Sequence, residues 1–179
     1  MDVWASTPSF NSVQDFGQAI EAHLGKARQH VKLVSKAADI GTAAHAVITG
    51  RIDKLAGTAV GPEPVLTEAS QWAVMAWEDW WKGAGLKPVR TEQVIWDEEL
   101  GYAGSIDLIA EAEDGWLEVW DYKTSKGIYD VHHVQVAAYC HAARRFAPNV
   151  RPGGILRVPK TTTDPAFEVK KLGEMYGGR

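Results

Sequence analysis

The fold is decided by residues 102–123, which read YAGSIDLIAEAEDGWLEVWDYK. Two stretches with strand periodicity flank residues 113–115 (Glu-Asp-Gly), a turn signal that predicts a hairpin. In the second stretch Asp121 and Lys123 share a face with Val119, because alternate side chains of a strand point the same way. Burying a carboxylate and an ammonium is costly unless they are paired or bind an ion. The segment therefore predicts a functional site as well as a hairpin.

The first stretch of the hairpin carries a further acidic side chain, Asp107. Strand alternation predicts that Ile106 and Leu108 take the face opposite to Asp107. Because the turn brings the two strands together, Asp107 and Asp121 are expected to converge. Two acidic oxygens with a lysine nearby suit a hard cation such as Mg²⁺ and the charge that develops on a phosphoryl group under attack.

Predicted helices flank the hairpin in the sequence. One begins near Gly41 and holds His45, and another covers residues 130–146 and places Gln135 and Tyr139 on one face, four residues apart. The other periodic segments complete an α/β chain: a helix after Ser12, a helix over residues 68–82, and strands over residues 89–96, 153–158 and 167–172.

These motifs resemble the PD-(D/E)xK nuclease superfamily, in particular its RecB-like exonuclease branch. That branch carries G-x-x-x-H on a helix, then G-x-x-D, (D/E)-x-K and Q-x-x-x-Y, in that chain order. The matching residues here are 41–45, 104–107, 121–123 and 135–139. Each motif is short, but four in order on elements of the expected type form a fairly specific signal. The resemblance implies an α/β fold with a restriction-endonuclease-like core, in which helices flank a mixed central β-sheet.

The resemblance also implies roles for individual residues. Asp107, Asp121 and Lys123 would be catalytic. The ligands of one or two Mg²⁺ or Mn²⁺ ions would be His45, Asp107, Asp121 and the backbone carbonyl of Tyr122, and an imidazole favours Mn²⁺ somewhat over Mg²⁺. A further group would contact DNA or brace the site: Gln135, Tyr139, Thr124, Arg157 and Lys160.

The function implied is that of a metal-dependent DNA nuclease, most simply an exonuclease of DNA recombination or repair. Two alternatives stay open: a catalytically silent nucleic-acid-binding protein on a nuclease fold, and a nuclease acting on RNA. The expected setting is the cytoplasm of a bacterium, for a bacterial protein or a phage protein in its host. Besides DNA, a second copy of the chain or a recombination protein is a possible partner.

Composition is that of a soluble globular chain. Its 179 residues predict one domain over 1–179, with an irregular lead-in at 1–12 and a frayed tail at 173–179. Cys140 is the only cysteine, which excludes an internal disulfide and leaves no ligand set for an iron–sulfur cluster. The sequence contains no apolar run that predicts a membrane span, and it predicts no signal peptide.

Charge is unevenly distributed along the chain. The net charge is -4, yet residues 61–120 hold 3 Lys/Arg against 13 Asp/Glu and residues 141–179 hold 8 against 3. A basic carboxy-terminal stretch is able to contact phosphate while an acidic centre holds metal, although a solvated mixed surface explains any single charge as well. Glu92 is predicted to lie on the surface. A tryptophan stripe at residues 77, 80 and 81 is predicted to face the core or a subunit, with base stacking as the alternative.

Overall fold

The computed structural model describes residues 41–59, 61–62, 64–164 and 166–172. In that part of the chain the helices are α1 (residues 41–56), α2 (Glu68–Gly83) and α3 (Asp130–Ala143). The strands are β1 (Lys87–Asp97), β2 (Tyr102–Glu111), β3 (Leu117–Lys123), β4 (Val150–Arg157) and β5 (Glu168–Lys171). The predicted lead-in at 1–12, the helix after Ser12 and the tail at 173–179 lie outside the described residues.

The five strands form one mixed sheet in the order β1-β2-β3-β4-β5. The first three strands pair antiparallel, β4 runs parallel to β3, and β5 returns antiparallel to β4. Helix α3 connects β3 to β4, because two parallel strands need a crossover that a tight turn cannot supply. The predicted α/β fold, a mixed central sheet flanked by helices, is confirmed.

Two clusters of buried side chains cover the sheet. The neighbours Val119 and Trp120 belong to different clusters, because consecutive strand residues point to opposite faces. Trp120 packs with α1 and α2, whereas Val119 packs with Val136 of α3. Trp77 and Trp80 are buried, and the ring of Trp80 lies 4.9 Å from that of Trp120. These two members of the tryptophan stripe therefore belong to the core.

Two element boundaries differ by three residues from those predicted. Strand β4 begins at Val150 rather than at Gly153, since Val150 already pairs with Leu117 across the parallel ladder. A proline and two glycines in that stretch weaken its strand signal in the sequence, since both residue types are unfavourable in a strand interior. Helix α3 ends at Ala143 rather than at residue 146, because the N–H of Phe146 donates to the carbonyl of Ala143 in a tighter turn.

The alternation predicted for β2 is wrong at Asp107. Ile106 belongs to the cluster on the α3 side and Leu108 to the cluster on the α1 and α2 side, so the two do not share a face. The register pairs Gln93 with Ile106, which places Glu92 of β1 opposite this irregularity. Glu92 has a φ of 46°, in the left-handed region that few residues other than glycine adopt. Both strands therefore depart from regular geometry at the same point.

Candidate active site

Strand β3 ends in two charged side chains that contact each other. The Nζ of Lys123 lies 2.6 Å from Oδ2 of Asp121 and 2.8 Å from its Oδ1. Both side chains therefore take the same face, as alternation predicts. Asp121 is only 2% exposed, so the lysine offsets part of the unfavourable free energy of burying its charge.

Asp107 extends the connection between β2 and β3 beyond their backbone ladder. The last backbone pair on this side is Leu108 with Trp120. One step further, Oδ2 of Asp107 accepts the backbone N–H of Tyr122 at 2.6 Å. A side chain thus replaces the backbone acceptor, and the carboxylate is held at the end of both strands beside the Asp121–Lys123 pair.

The backbone carbonyl of Tyr122 points toward the same end of β2 and β3. The carbonyl of Lys123 accepts the N–H of Val158 on the β4 side, so the preceding carbonyl, that of Tyr122, points the other way, toward β2. The Tyr122 ring is buried and lies edge-on to Trp80, with centroids 6.3 Å apart. The buried ring anchors this peptide, which suits the carbonyl for a fixed position in a site.

His45 approaches the carboxylates from α1. Its Nδ1 lies 3.8 Å from Oδ2 of Asp107, and its ring meets that of Tyr122 edge-on at 6.1 Å. Burial lowers the pKa of His45 below its ordinary 6.5, so the imidazole is neutral at pH 7 and has a lone pair to offer. A Cβ on Gly41 would lie 2.8 Å from Oγ1 of Thr124, so the glycine one turn before His45 lets α1 approach the end of β3 closely.

Glu92 is exposed, as predicted, and it also belongs to this group. One ligand atom each from His45, Glu92 and Asp107 can be chosen so that all lie within 4.8 Å of one another. The carboxylate is also fixed by two hydroxyls, since Thr49 Oγ1 donates to Oε1 at 3.3 Å and Ser105 Oγ donates to Oε2 at 3.1 Å. The sequence contains a signal for this position of Glu92. Counting residues outward from the β1–β2 turn places Glu92 opposite Asp107.

The site is electrostatically unfavourable without a cation. Burial raises the pKa of Asp107 to about 6, against the effect of the Tyr122 hydrogen bond. Burial, and then the nearby charge of Asp107, raise the pKa of Asp121 to about 6, against the effect of Lys123. Carboxylate oxygens with a neutral imidazole are suitable ligands for Mg²⁺ or Mn²⁺, and a bound cation would favour the charged carboxylates. The residues present therefore fit a divalent ion.

The two predicted site residues of α3 pack against the start of β2. Gln135 Nε2 donates to the Tyr139 hydroxyl at 2.9 Å. A Cβ on Gly104 would lie 2.5 Å from that hydroxyl oxygen, so only glycine leaves room for the tyrosine there. This contact fixes α3 on the strand that carries Asp107 three residues later. The predicted contact of Gln135 and Tyr139 with DNA stays a prediction.

Arg157 is the last residue of β4, and Lys160 follows that strand. Arg157 is 3% exposed, donates to the carbonyl of Ala166 and lies 3.4 Å from Glu168. In this position it ties β4 to β5, and its predicted contact with DNA or phosphate stays a prediction. The backbone N–H of Lys160 donates to Asp164 at 2.7 Å in the following turn.

The sequence profile of the PD-(D/E)XK nuclease superfamily matches residues 19–174. The chain therefore belongs to the PD-(D/E)XK nuclease superfamily, and its mixed sheet flanked by helices is the restriction-endonuclease-like core predicted for it. That membership makes it a nuclease and its substrate a nucleic acid. No curated protein matches the chain in sequence. None of the helices in the described ranges is long and apolar enough to cross a lipid bilayer.

Proposed function

We propose that the chain is a metal-dependent DNA nuclease, an exonuclease of the RecB-like branch acting in recombination or repair. The observation that carries the proposal is the convergence of Asp107, Asp121 and Lys123 at the ends of two neighbouring strands, with His45 beside them. Nothing in the packing of the sheet requires three charged groups at this point. Binding a cation and a phosphate explains why they stand together.

Four ligands would hold the metal: the carboxylates of Asp107 and Asp121, the carbonyl of Tyr122 and the imidazole of His45. When bound, a divalent ion supplies Lewis-acid activation of water and neutralises charge on the scissile phosphate. Lys123, held against Asp121, orients the attacking water or stabilises the charge that develops on the phosphoryl oxygens. A lysine at this position is already preorganised, because its partner Asp121 is buried.

Assignment to the RecB-like branch rests on the order of the four motifs and on their mutual contacts. The glycine of the first motif packs on Thr124, next to the lysine of the third. The glycine of the second packs on Tyr139 of the fourth. Motifs that are separate in the sequence thus support one another around a single site.

The kind of nucleic acid, the mode of cleavage and the cellular setting are inferred from the resemblance to the RecB-like branch. DNA is favoured over RNA, and exonuclease over endonuclease action, by the resemblance to the RecB-like branch alone. A bacterial or phage protein of the cytoplasm, acting alone, as a homo-oligomer or with a recombination protein, fits the same resemblance. The rival functions are silent nucleic-acid binding on this fold and hydrolysis of RNA.

The test is cleavage of end-labelled linear and covalently closed circular DNA, single- and double-stranded, beside matched RNA, with Mg²⁺, Mn²⁺ or EDTA. The proposal predicts metal-dependent loss of linear DNA with circles left intact. Lys123→Ala should slow cleavage by roughly 10²-fold or more, whereas Lys82→Ala, an exposed lysine on α2, should match the wild type. Cleavage of circles would make the enzyme an endonuclease. Preferential cleavage of RNA would support the alternative of an RNA nuclease. If every substrate stays intact, the alternative of silent nucleic-acid binding is supported.

A further inference from the structure

The hairpin of β1 and β2 extends past the end of its pairing with β3. The last backbone pair between β2 and β3 is Leu108 with Trp120, whereas β1 and β2 stay paired as far as Asp97 and Tyr102. Helix α3 covers one face of this extension. Ile95 belongs to the buried cluster on the α3 side, and the hydroxyl of Tyr102 donates to a backbone carbonyl of α3 at 2.7 Å.

The opposite face of the extension is open to solvent. Val94 and Trp96 alternate with the buried Ile95, so they take the face away from α3. Val94 is 60% exposed, and Trp96 is 46% exposed although it is a large aromatic residue. Their partners across the hairpin are Ser105 and Ala103, which take the same face because paired residues of neighbouring strands lie side by side. We call these four side chains the open hairpin face.

The open hairpin face continues directly from the candidate active site. Ser105 Oγ donates to Glu92 at 3.1 Å, and Glu92 lies in a cluster with His45 and Asp107. Trp96 is four residues further along β1 than Glu92, about 13 Å at the rise of a strand. A groove of about 760 Å³, lined by α1 and the loop after it, also reaches Glu92. A nucleic-acid strand that occupies the site can therefore contact the open hairpin face as well.

The chemistry of this face suits unpaired bases better than phosphates. All four of its side chains are uncharged, and Glu98 and Glu99 in the adjoining turn are exposed and acidic. A duplex is held mainly by lysine and arginine contacts to its phosphates, whereas the bases of a single strand are free to stack on an aromatic ring. Phe146 lies beside the Trp96 ring, with ring centroids 5.8 Å apart, so the indole is positioned before a base arrives.

We propose that the open hairpin face binds single-stranded nucleic acid, with a base of the substrate stacked on Trp96 while the strand continues past Glu92 into the candidate active site. The substrate class is thus a single strand or the unpaired end of a duplex. Trp96 is a binding residue, and Val94 and Ala103 provide the flat apolar surface around it. The inference rests on the proposed function in that the strand held at Trp96 is the strand that the site would cleave.

The experiment measures binding of a labelled single-stranded thymidine oligonucleotide by fluorescence anisotropy in EDTA, where no metal is present for cleavage. Trp96→Ala should weaken binding by roughly tenfold, the order expected for one base stacked on an aromatic side chain. Trp96→Phe, which keeps an aromatic ring, should retain most of the affinity. Trp116→Ala is the matched control and should bind as the wild type does, because Trp116 is 42% exposed but lies beyond the opposite end of β2.

Thermal melting shows whether each variant is folded, and Val94→Glu supplies a second test that does not alter the tryptophan. A carboxylate on the open hairpin face should repel the phosphates of the strand and weaken binding by about fivefold. Met75→Glu places the same charge on an exposed position of α2 and should have little effect. A blunt duplex should bind the wild type and Trp96→Ala with similar affinity.

The inference is wrong if Trp96→Ala and Val94→Glu bind the single strand as tightly as the wild type. An equal loss of duplex binding would overturn the assignment to single strands. Dissociation of a dimer by Trp96→Ala, with single-strand affinity unchanged, would identify the face as an interface between two copies of the chain instead. If Trp96→Ala loses binding while the wild type cleaves nothing with Mg²⁺ or Mn²⁺, the binding face stands and the proposed function fails.

Discussion

Asp107 connects three parts of the molecule through one carboxylate. Its Oδ2 accepts the Tyr122 N–H of β3 at 2.6 Å and lies 3.8 Å from His45 of α1. Burial raises its pKa to about 6, so at neutral pH a charged group occupies a place where folding alone favours a neutral one. A residue that opposes stability in this way is expected at a site retained for function.

Replacing this carboxylate should stabilise the metal-free protein. With a folded pKa of about 6 against an ordinary 3.8, the folded state binds more protons between those values, so stability falls as pH rises through that window. Asp107→Asn keeps an acceptor for Tyr122 and removes the charge. In EDTA at pH 7.5 it should raise the free energy of unfolding by on the order of 1–3 kcal/mol, measured by urea denaturation.

This gain in the free energy of unfolding should shrink as Asp107 of the wild type becomes protonated. The same measurement at pH 4.5 should therefore give a smaller difference between Asp107→Asn and the wild type. A variant that is less stable than the wild type at both values would show that the carboxylate is chiefly a structural acceptor.

At the residue scale the sequence predicted those site residues that lie within short motifs. Asp121 and Lys123 sit two apart on one strand, where local alternation suffices to place them together. Glu92 is a lone acidic residue in its segment, and its position depends on pairing with a strand 15 residues away. The burial of Arg157 was not predicted, because it depends on the pairing of β4 with β5 rather than on the pattern of residues around Arg157.

At the element scale, close contacts at glycines determine how the helices meet the sheet. Strand β2 begins at Tyr102, the first residue of the predicted hairpin, because clear turns flank the strand. The packing of α3 on it depends on Tyr139 filling the space at Gly104, a contact between residues 35 positions apart. Such contacts position Asp107 relative to the helices.

Gly104→Ala should therefore destabilise the protein by about 1–3 kcal/mol, because a methyl group would overlap the Tyr139 ring and force α3 away from β2. Urea denaturation of the single and double variants measures the effect. The double variant with Tyr139→Ala should lose clearly less free energy of unfolding than the sum of the two single variants.

Gly83→Ala is the control, since a Cβ there meets nothing within 4 Å. Additive losses for Gly104→Ala and Tyr139→Ala would mean that the two residues do not share this contact.

At the scale of the whole molecule, the mixed sheet gathers residues from α1, β1, β2 and β3 into one site. The general fold was predictable from periodicity and turns, since the five strands and three helices of the described residues follow from local patterns. The convergence of His45 and Glu92 was not, because it needs the local break in the β1–β2 pairing. A metal ion bound at this junction would couple the separate elements.

The folded protein should consequently be stabilised by Mn²⁺. Linkage gives about 2.7 kcal/mol when the free ion is at a hundred times its Kd. Melting in Mn²⁺ against EDTA should show a rise for the wild type and for Lys82→Ala, and little or none for Asp107→Asn. Equal rises in all three proteins would place the ion elsewhere.

Cleavage of linear end-labelled DNA by the wild type and by Asp107→Asn, each with Mg²⁺ and with EDTA, tests the central claim most directly. We expect the wild type to cut only with metal. Asp107→Asn, folded and more stable at pH 7.5, should be slower by roughly 10²-fold or more. Cleavage that persists in EDTA, or an Asp107→Asn rate equal to that of the wild type, would contradict a metal-dependent nuclease centred on this carboxylate.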